Sequence, residues 1–263
     1  RQRQMCIRDS TYTASGFKAI GTLFNSLFGV EYHTAMIVGG IVVVLYTVMG
    51  GFMAVSFTDL IQSIFMTIAL IVIVCFGVQQ AGGLDTVIDN ASALPGYLNM
   101  TQGYDAATGT AASFSTLSII STLAWGLGYF GMPHILVRYL SIKSEHEMRK
   151  SQIIGCSWIV LILAMSAVVG LIGRQFLGEI DNENLVFVHM VRRLFPAFIS
   201  GVLLSAILAA AMSTADSQLL ASSSAFASDI YKPVIRKDAT DHEMQWAGRV
   251  IVMLISVVAF FIA

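Results

Sequence analysis

Residues 205–218 (SAILAAAMSTADSQ) hold the residue types most able to do chemistry. They lie inside an apolar run, yet Ser213, Thr214, Asp216 and Ser217 fall within five positions. Ala210, Ser213, Thr214 and Ser217 are spaced i, i+3, i+4, i+7, so on a helix they share one face, with Asp216 on its flank. Hydroxyl and carbonyl oxygens gathered in an otherwise greasy helix suit a small hard cation such as Na+. Serine and threonine can instead bond the preceding turn or join two helices. Asp216 weighs against that simpler reading, because an ionisable group in a membrane span is costly without a partner and marks a functional site by default.

A second group is aromatic. Trp125 and Tyr129 are i, i+4 and share a helix face. Counted from Ser113, Trp125 lies roughly 18 Å into its span, too deep for an interfacial belt, so the sequence predicts buried rings. Pro133 has no N–H, which predicts a kink and a carbonyl of Tyr129 freed from its helical bond. Discontinuous helices of this kind mark substrate sites in secondary transporters. His134 reads as a packing or hydrogen-bonding histidine rather than a proton relay. Residues 126–131 (GLGYFG) match the glycine fingerprint of nucleotide sites, but no strand precedes them and they lie mid-span, so they read as helix-packing glycines. The sequence displays no catalytic constellation, and the chain reads as a non-enzyme.

These residues must be positioned by membrane helices. The chain has 263 residues, 56% hydrophobic and 12% charged, with a net charge of −1 and a mean hydropathy of +0.75. Soluble domains carry roughly a quarter charged residues. No Asp, Glu, Lys or Arg occurs in 32–58, 60–84, 106–137, 151–173 or 194–215, and each run can span a bilayer, which takes about 20 apolar residues. The class is a multi-pass α-helical protein of the cell membrane. The slight negative charge argues against nucleic acid, and Cys6, Cys75 and Cys156 form no metal or disulfide pattern. Residues 1–10 (RQRQMCIRDS) read as a non-native or artefactual tail, and 11–263 as a membrane core of about six to seven helices.

Along that core the pattern predicts spans near 32–50, 56–80, 113–140 (broken at Pro133), 151–172 and 197–228. A short helix is expected at 84–92, an amphipathic stretch at 185–191, a charged linker at 231–243, and a last span from about Trp246. Thr58 or Asp59 could cap the span that begins beside them. The loop 81–109 has no Lys or Arg and is placed outside, and the basic loops near 138–150 and 232–249 inside.

Three stretches carry a resemblance. Residues 125–138 (WGLGYFGMPHILVR), 204–220 (LSAILAAAMSTADSQLL) and 46–62 (YTVMGGFMAVSFTDLIQ) resemble the substrate helix, the sodium-site helix and a characteristic loop and helix start of the sodium:solute symporter family, in its proline branch. The likeness runs from residue 11 to 263. It implies an all-α, leucine-transporter-like inverted-repeat fold, cut at both ends and without the unwound first bundle helix. It implies Na+ as coupling ion, with side-chain oxygens from Ser213 and Thr214 and the carbonyl of Ala210. Asp59, with Ser213 and Ser217, resembles a second sodium position or an exit path. Trp125, Tyr129 and Pro133 resemble the residues around bound proline, and Tyr12 a further aromatic of that pocket. The implied activity is Na+-coupled uptake of L-proline across the bilayer by alternating access. Met132 stands where the proline branch is expected to carry glutamine, so another solute of the family (pantothenate, sialic acid or a sugar) stays open, as does a transporter-like sensor domain of a signalling protein.

Overall fold

The computed structural model describes residues 2–105, 107–129, 131–178, 180 and 182–263. Helix dominates. α1 (Gln2–Phe28) runs unbroken past residue 10. α2 (Tyr32–Gln80) has 49 residues and breaks at Gly51, where φ is 62° and ψ −165°. A straight helix of that length would reach about 74 Å against a hydrocarbon thickness of about 30 Å. The break is therefore required, and it falls at a residue without a Cβ. Beyond it the helix is continuous through Thr58 and Asp59, so neither caps it: the Thr58 hydroxyl donates to the Val55 carbonyl within the helix.

α3 (Leu84–Ser92) occupies the expected short helix. The next segment departs from expectation: β1 (Gln102–Asp105) and β2 (Thr110–Ser113) pair antiparallel, with Gln102 opposite Ser113. Asp105 shapes the turn by accepting from the Ala107 N–H and the Thr108 hydroxyl, both at 2.9 Å. The following span accordingly starts at α4 (Thr116–Tyr129) rather than at Ser113. It breaks as expected before α5 (Pro133–Leu140).

α6 (Glu145–Leu177) starts before the expected apolar run because Ser144 caps it, accepting from the Glu147 N–H, and Glu145 and Glu147 occupy its first turn. A 3-10 turn (Glu183–Leu185) leads to the amphipathic α7 (Val186–Leu194). α8 (Ala197–Phe226) continues as a π-helix (Ala227–Ile235). What reads as a charged linker is thus helical at both ends, because α9 (Asp241–Ile262) already starts at a capping box of Thr240 and Glu243. Among the described residues, five helices are long and apolar enough to cross a membrane: Tyr32–Gln80, Thr116–Leu140, Glu145–Leu177, Ala197–Ile235 and Asp241–Ile262.

The chain forms two compact units. One takes residues 2–66, Pro133–Ser141 and Ala206–Ala263. Its core joins Phe17 and Ile20 of α1, Met36 and Val43 of α2, Leu219 of α8, and Val252 of α9. Phe17 stacks on Phe260 at 4.5 Å. α1 comes close to α8 at Gly16, where an added Cβ would lie 3.1 Å from that of Ala215. The other unit takes Thr67–Met132 and Ile142–Ser205. Trp158 donates its indole N–H to Thr67, and Gln175 donates to the Ala81 carbonyl.

Candidate functional site

α8 carries the oxygen-bearing strip. Ser213 Oγ donates to the Ala210 carbonyl at 3.1 Å and Thr214 Oγ1 to the same carbonyl at 3.0 Å. All three residues are half-buried. Hydroxyls that spend their protons on one shared carbonyl keep their own lone pairs for another ligand. The local bonding that apolar helices commonly impose on Ser and Thr is therefore present, and it leaves acceptor capacity behind.

One turn further, Ser217 Oγ donates to the Ser213 carbonyl at 2.7 Å. It also lies 3.2 Å from Asp59 Oδ2 and 3.3 Å from Asp216 Oδ1. Asp59 comes from the second half of α2, so the fold brings together two residues 158 positions apart. Arg138, in the last turn of α5, donates Nη2 to both Asp59 Oδ2 and Ser217 Oγ. Asp216 is fully buried and accepts from the Tyr46 phenol at 2.6 Å. Gln218, also fully buried, donates Nε2 to His134 Nδ1 at 2.6 Å, so His134 is a hydrogen-bonding residue. Among the described residues, Asp59 Oδ1 and Gln218 Oε1 are buried with no hydrogen-bond partner.

Of the five residues expected at the ion, Ala210, Ser213, Thr214 and Ser217 thus follow one another along α8, and Asp59 meets Ser217. Tyr46 and Arg138 are the members that sequence reasoning missed as site residues. The readable signal was electrostatic: two carboxylates in apolar runs call for partners. In the sequence Arg138 reads as a charge at the edge of a basic loop and as the last residue of the 125–138 stretch.

The aromatic residues lie in the other unit. Trp125 and Tyr129 sit side by side near the end of α4, with ring centroids 5.7 Å apart. Trp125 is 65% exposed, which corrects its expected burial, whereas Tyr129 is half-buried. The Tyr129 carbonyl is not free either. It accepts from the Met132 N–H at 3.2 Å, a tightened turn that absorbs the bond Pro133 cannot make. Met132 itself is buried. Pro133 opens α5, and its side chain lies outside the described residues. Tyr12, half-buried in α1, belongs to the unit that holds the oxygen strip.

Residues 5–263 match the sodium:solute symporter family. The chain is 40% identical over 257 residues to the high-affinity proline transporter PutP of Bacillus subtilis, covering 96% of this chain and 52% of the relative. It is 39% identical over 259 residues to sodium/proline symporter 2 of Staphylococcus saprophyticus, covering 96% and 49%. It therefore spans about half the length of the curated relatives it matches. Among solved structures, the substrate-bound, outward-open state of a Na+-coupled sialic acid symporter superposes with a TM-score of 0.80 at 18% identity, covering 99% of this chain and 57% of the other. That likeness shows the fold, a helical transporter fold of the leucine-transporter type. The chain belongs to the sodium:solute symporter family.

Proposed function

We propose that this chain forms the core of a secondary active transporter that couples Na+ entry to uptake of L-proline by alternating access. The observation that carries the reading is the oxygen triplet on α8. Ser213 and Thr214 converge on the Ala210 carbonyl, with lone pairs left for a hard cation that has shed its water. Asp59 and Ser217 offer a second position one turn away. Trp125 and Tyr129, side by side on α4, would contact the solute, their aromatic faces suiting its ammonium group. The relatives named for proline transport support proline as that solute.

Sodium bound at the triplet would favour the outward-open state and raise affinity for the solute, and the solute would raise affinity for sodium by the same factor. A second reading within the family, a different small solute, is favoured by Met132, which is buried at the α4–α5 break where glutamine is expected in the proline branch.

The test is uptake of labelled proline by the protein reconstituted in proteoliposomes. Uptake should require an inward Na+ gradient, and unlabelled proline should compete while pantothenate, sialic acid and sugars do not. Uptake that ignores the gradient would sink the proposal, and competition by another solute class would replace proline. Trp125→Ala should raise the apparent proline constant about tenfold, the scale of one lost aromatic contact. An unchanged constant would remove Trp125 from the pocket.

A further inference from the structure

The second ion position proposed above is not open. Arg138 Nη2 donates to Asp59 Oδ2 and to Ser217 Oγ, which are the oxygens a cation would need there. The guanidinium thus stands where an ion would stand, and its positive charge answers the same carboxylate. The Asp59 end of this ion pair is buried, but the Arg138 end is open. The Arg138 side chain is 44% exposed. It lines a cavity of about 650 Å³ that is also bounded by Ser141, Ser223, Ser224 and Ser228. The cavity lies wholly within one compact unit, and it offers the guanidinium both room and hydroxyl acceptors.

Two further observations favour exchange. Asp59 Oδ1 is buried with no partner among the described residues, so the carboxylate keeps an unused oxygen beside the one Arg138 holds. Ser217 also links Asp59 to the fully buried Asp216. The group therefore contains two carboxylates and one arginine. Withdrawal of Arg138 alone would leave buried negative charge uncompensated. Withdrawal in exchange for Na+ replaces one unit positive charge by another and leaves the buried sum unchanged.

We propose that Arg138 is a tethered cation that fills the second sodium position of this chain and must swing into the neighbouring cavity before a second Na+ can enter. It thereby sets how many ions move per solute. This inference rests on the sodium-coupled reading given above, and the experiment separates the two.

The protein in proteoliposomes is assayed for the ratio of 22Na+ to proline taken up and for the sodium concentration giving half-maximal uptake. Arg138→Gln removes the tethered charge. The ratio should rise by about one ion and half-saturation should fall about tenfold, a coupling of ordinary size. Arg138→Lys keeps a charge on a flexible stem and should stay within about twofold of the unaltered protein. Adding Asp59→Asn to Arg138→Gln should abolish the gain. An unchanged ratio in Arg138→Gln, or identical behaviour of Arg138→Lys and Arg138→Gln, overturns the proposal.

A measurement on the unaltered protein does not depend on any variant folding. At sodium chloride concentrations well above those of the uptake assay, where Na+ displaces the guanidinium, phenylglyoxal modification of Arg138, followed by mass spectrometry, should be faster than in choline chloride of the same strength. Equal or slower modification in sodium overturns the proposal. Uptake that ignores sodium altogether overturns both readings, whereas sodium-driven uptake with an unaltered ratio in Arg138→Gln overturns this one alone.

Discussion

Asp216 illustrates how a single residue is tolerated in an apolar helix. Its carboxylate is fully buried and would be costly without a donor. The Tyr46 phenol supplies one at 2.6 Å, and Ser217 Oγ adds a longer contact. Tyr46→Phe removes the short bond and leaves the ring packing almost unaltered. We expect a loss of about 1–2 kcal/mol in unfolding free energy, between the values for buried charged bonds and for side-chain bonds inside bilayers. Denaturant titration in detergent measures it. A loss near zero would mean that Asp216 finds another donor, and a loss well above that range would mean that Tyr46 orders more than one carboxylate.

At the scale of elements, the break in α2 depends on Gly51. Its φ of 62° with ψ of −165° is a conformation open to glycine and costly for other residues. An added Cβ there would meet no atom within 4 Å, so Gly51→Ala isolates the backbone penalty. The expected destabilisation is about 1–2 kcal/mol, read as a shift of the thermal midpoint. A neutral result would show that the chain can turn there by another route.

The start of α2 offers a pH test in an exposed setting. Glu31 accepts from the backbone N–H groups of His33 at 3.0 Å and Thr34 at 2.7 Å. Those bonds hold its carboxyl down from an ordinary 4.5 to about 2. The folded value lies below the unfolded one, so the stabilisation is complete above 4.5 and disappears as pH falls towards 2. Carbon-13 NMR of labelled glutamate should show this midpoint near 2. A midpoint near 4.5 would mean that the cap is not formed.

The same scale explains what the sequence could and could not convey. The α4–α5 break at Pro133 and the short α3 were readable, because proline and glycine act locally on their own backbone. The oxygen strip was readable because i, i+3, i+4, i+7 spacing is a property of one helix. The β1–β2 hairpin was not, since its strands are short, polar and weakly patterned. Nor were the bonds of Arg138 to Asp59, 79 positions away, or of Tyr46 to Asp216, 170 positions away. Local pattern states that a buried carboxylate needs a partner, but which partner arrives depends on how α2, α5 and α8 come together. The exposure of Trp125 was misjudged for a related reason. Depth within a span does not say which face of the helix is covered.

For the whole molecule, a family fold and a strip of oxygens become a transporter only if ion and solute influence one another. The claim on which this depends is that sodium sits at Ala210, Ser213 and Thr214. Binding of 22Na+ to the purified protein tests it most directly, with and without proline, in the unaltered chain and in Ser213→Ala and Thr214→Ala. Loss of a hydroxyl ligand should weaken sodium binding by about tenfold or more while the yield of folded protein stays the same, and proline should tighten sodium binding only when both hydroxyls are present. Sodium binding that is equal in all three proteins would contradict the account.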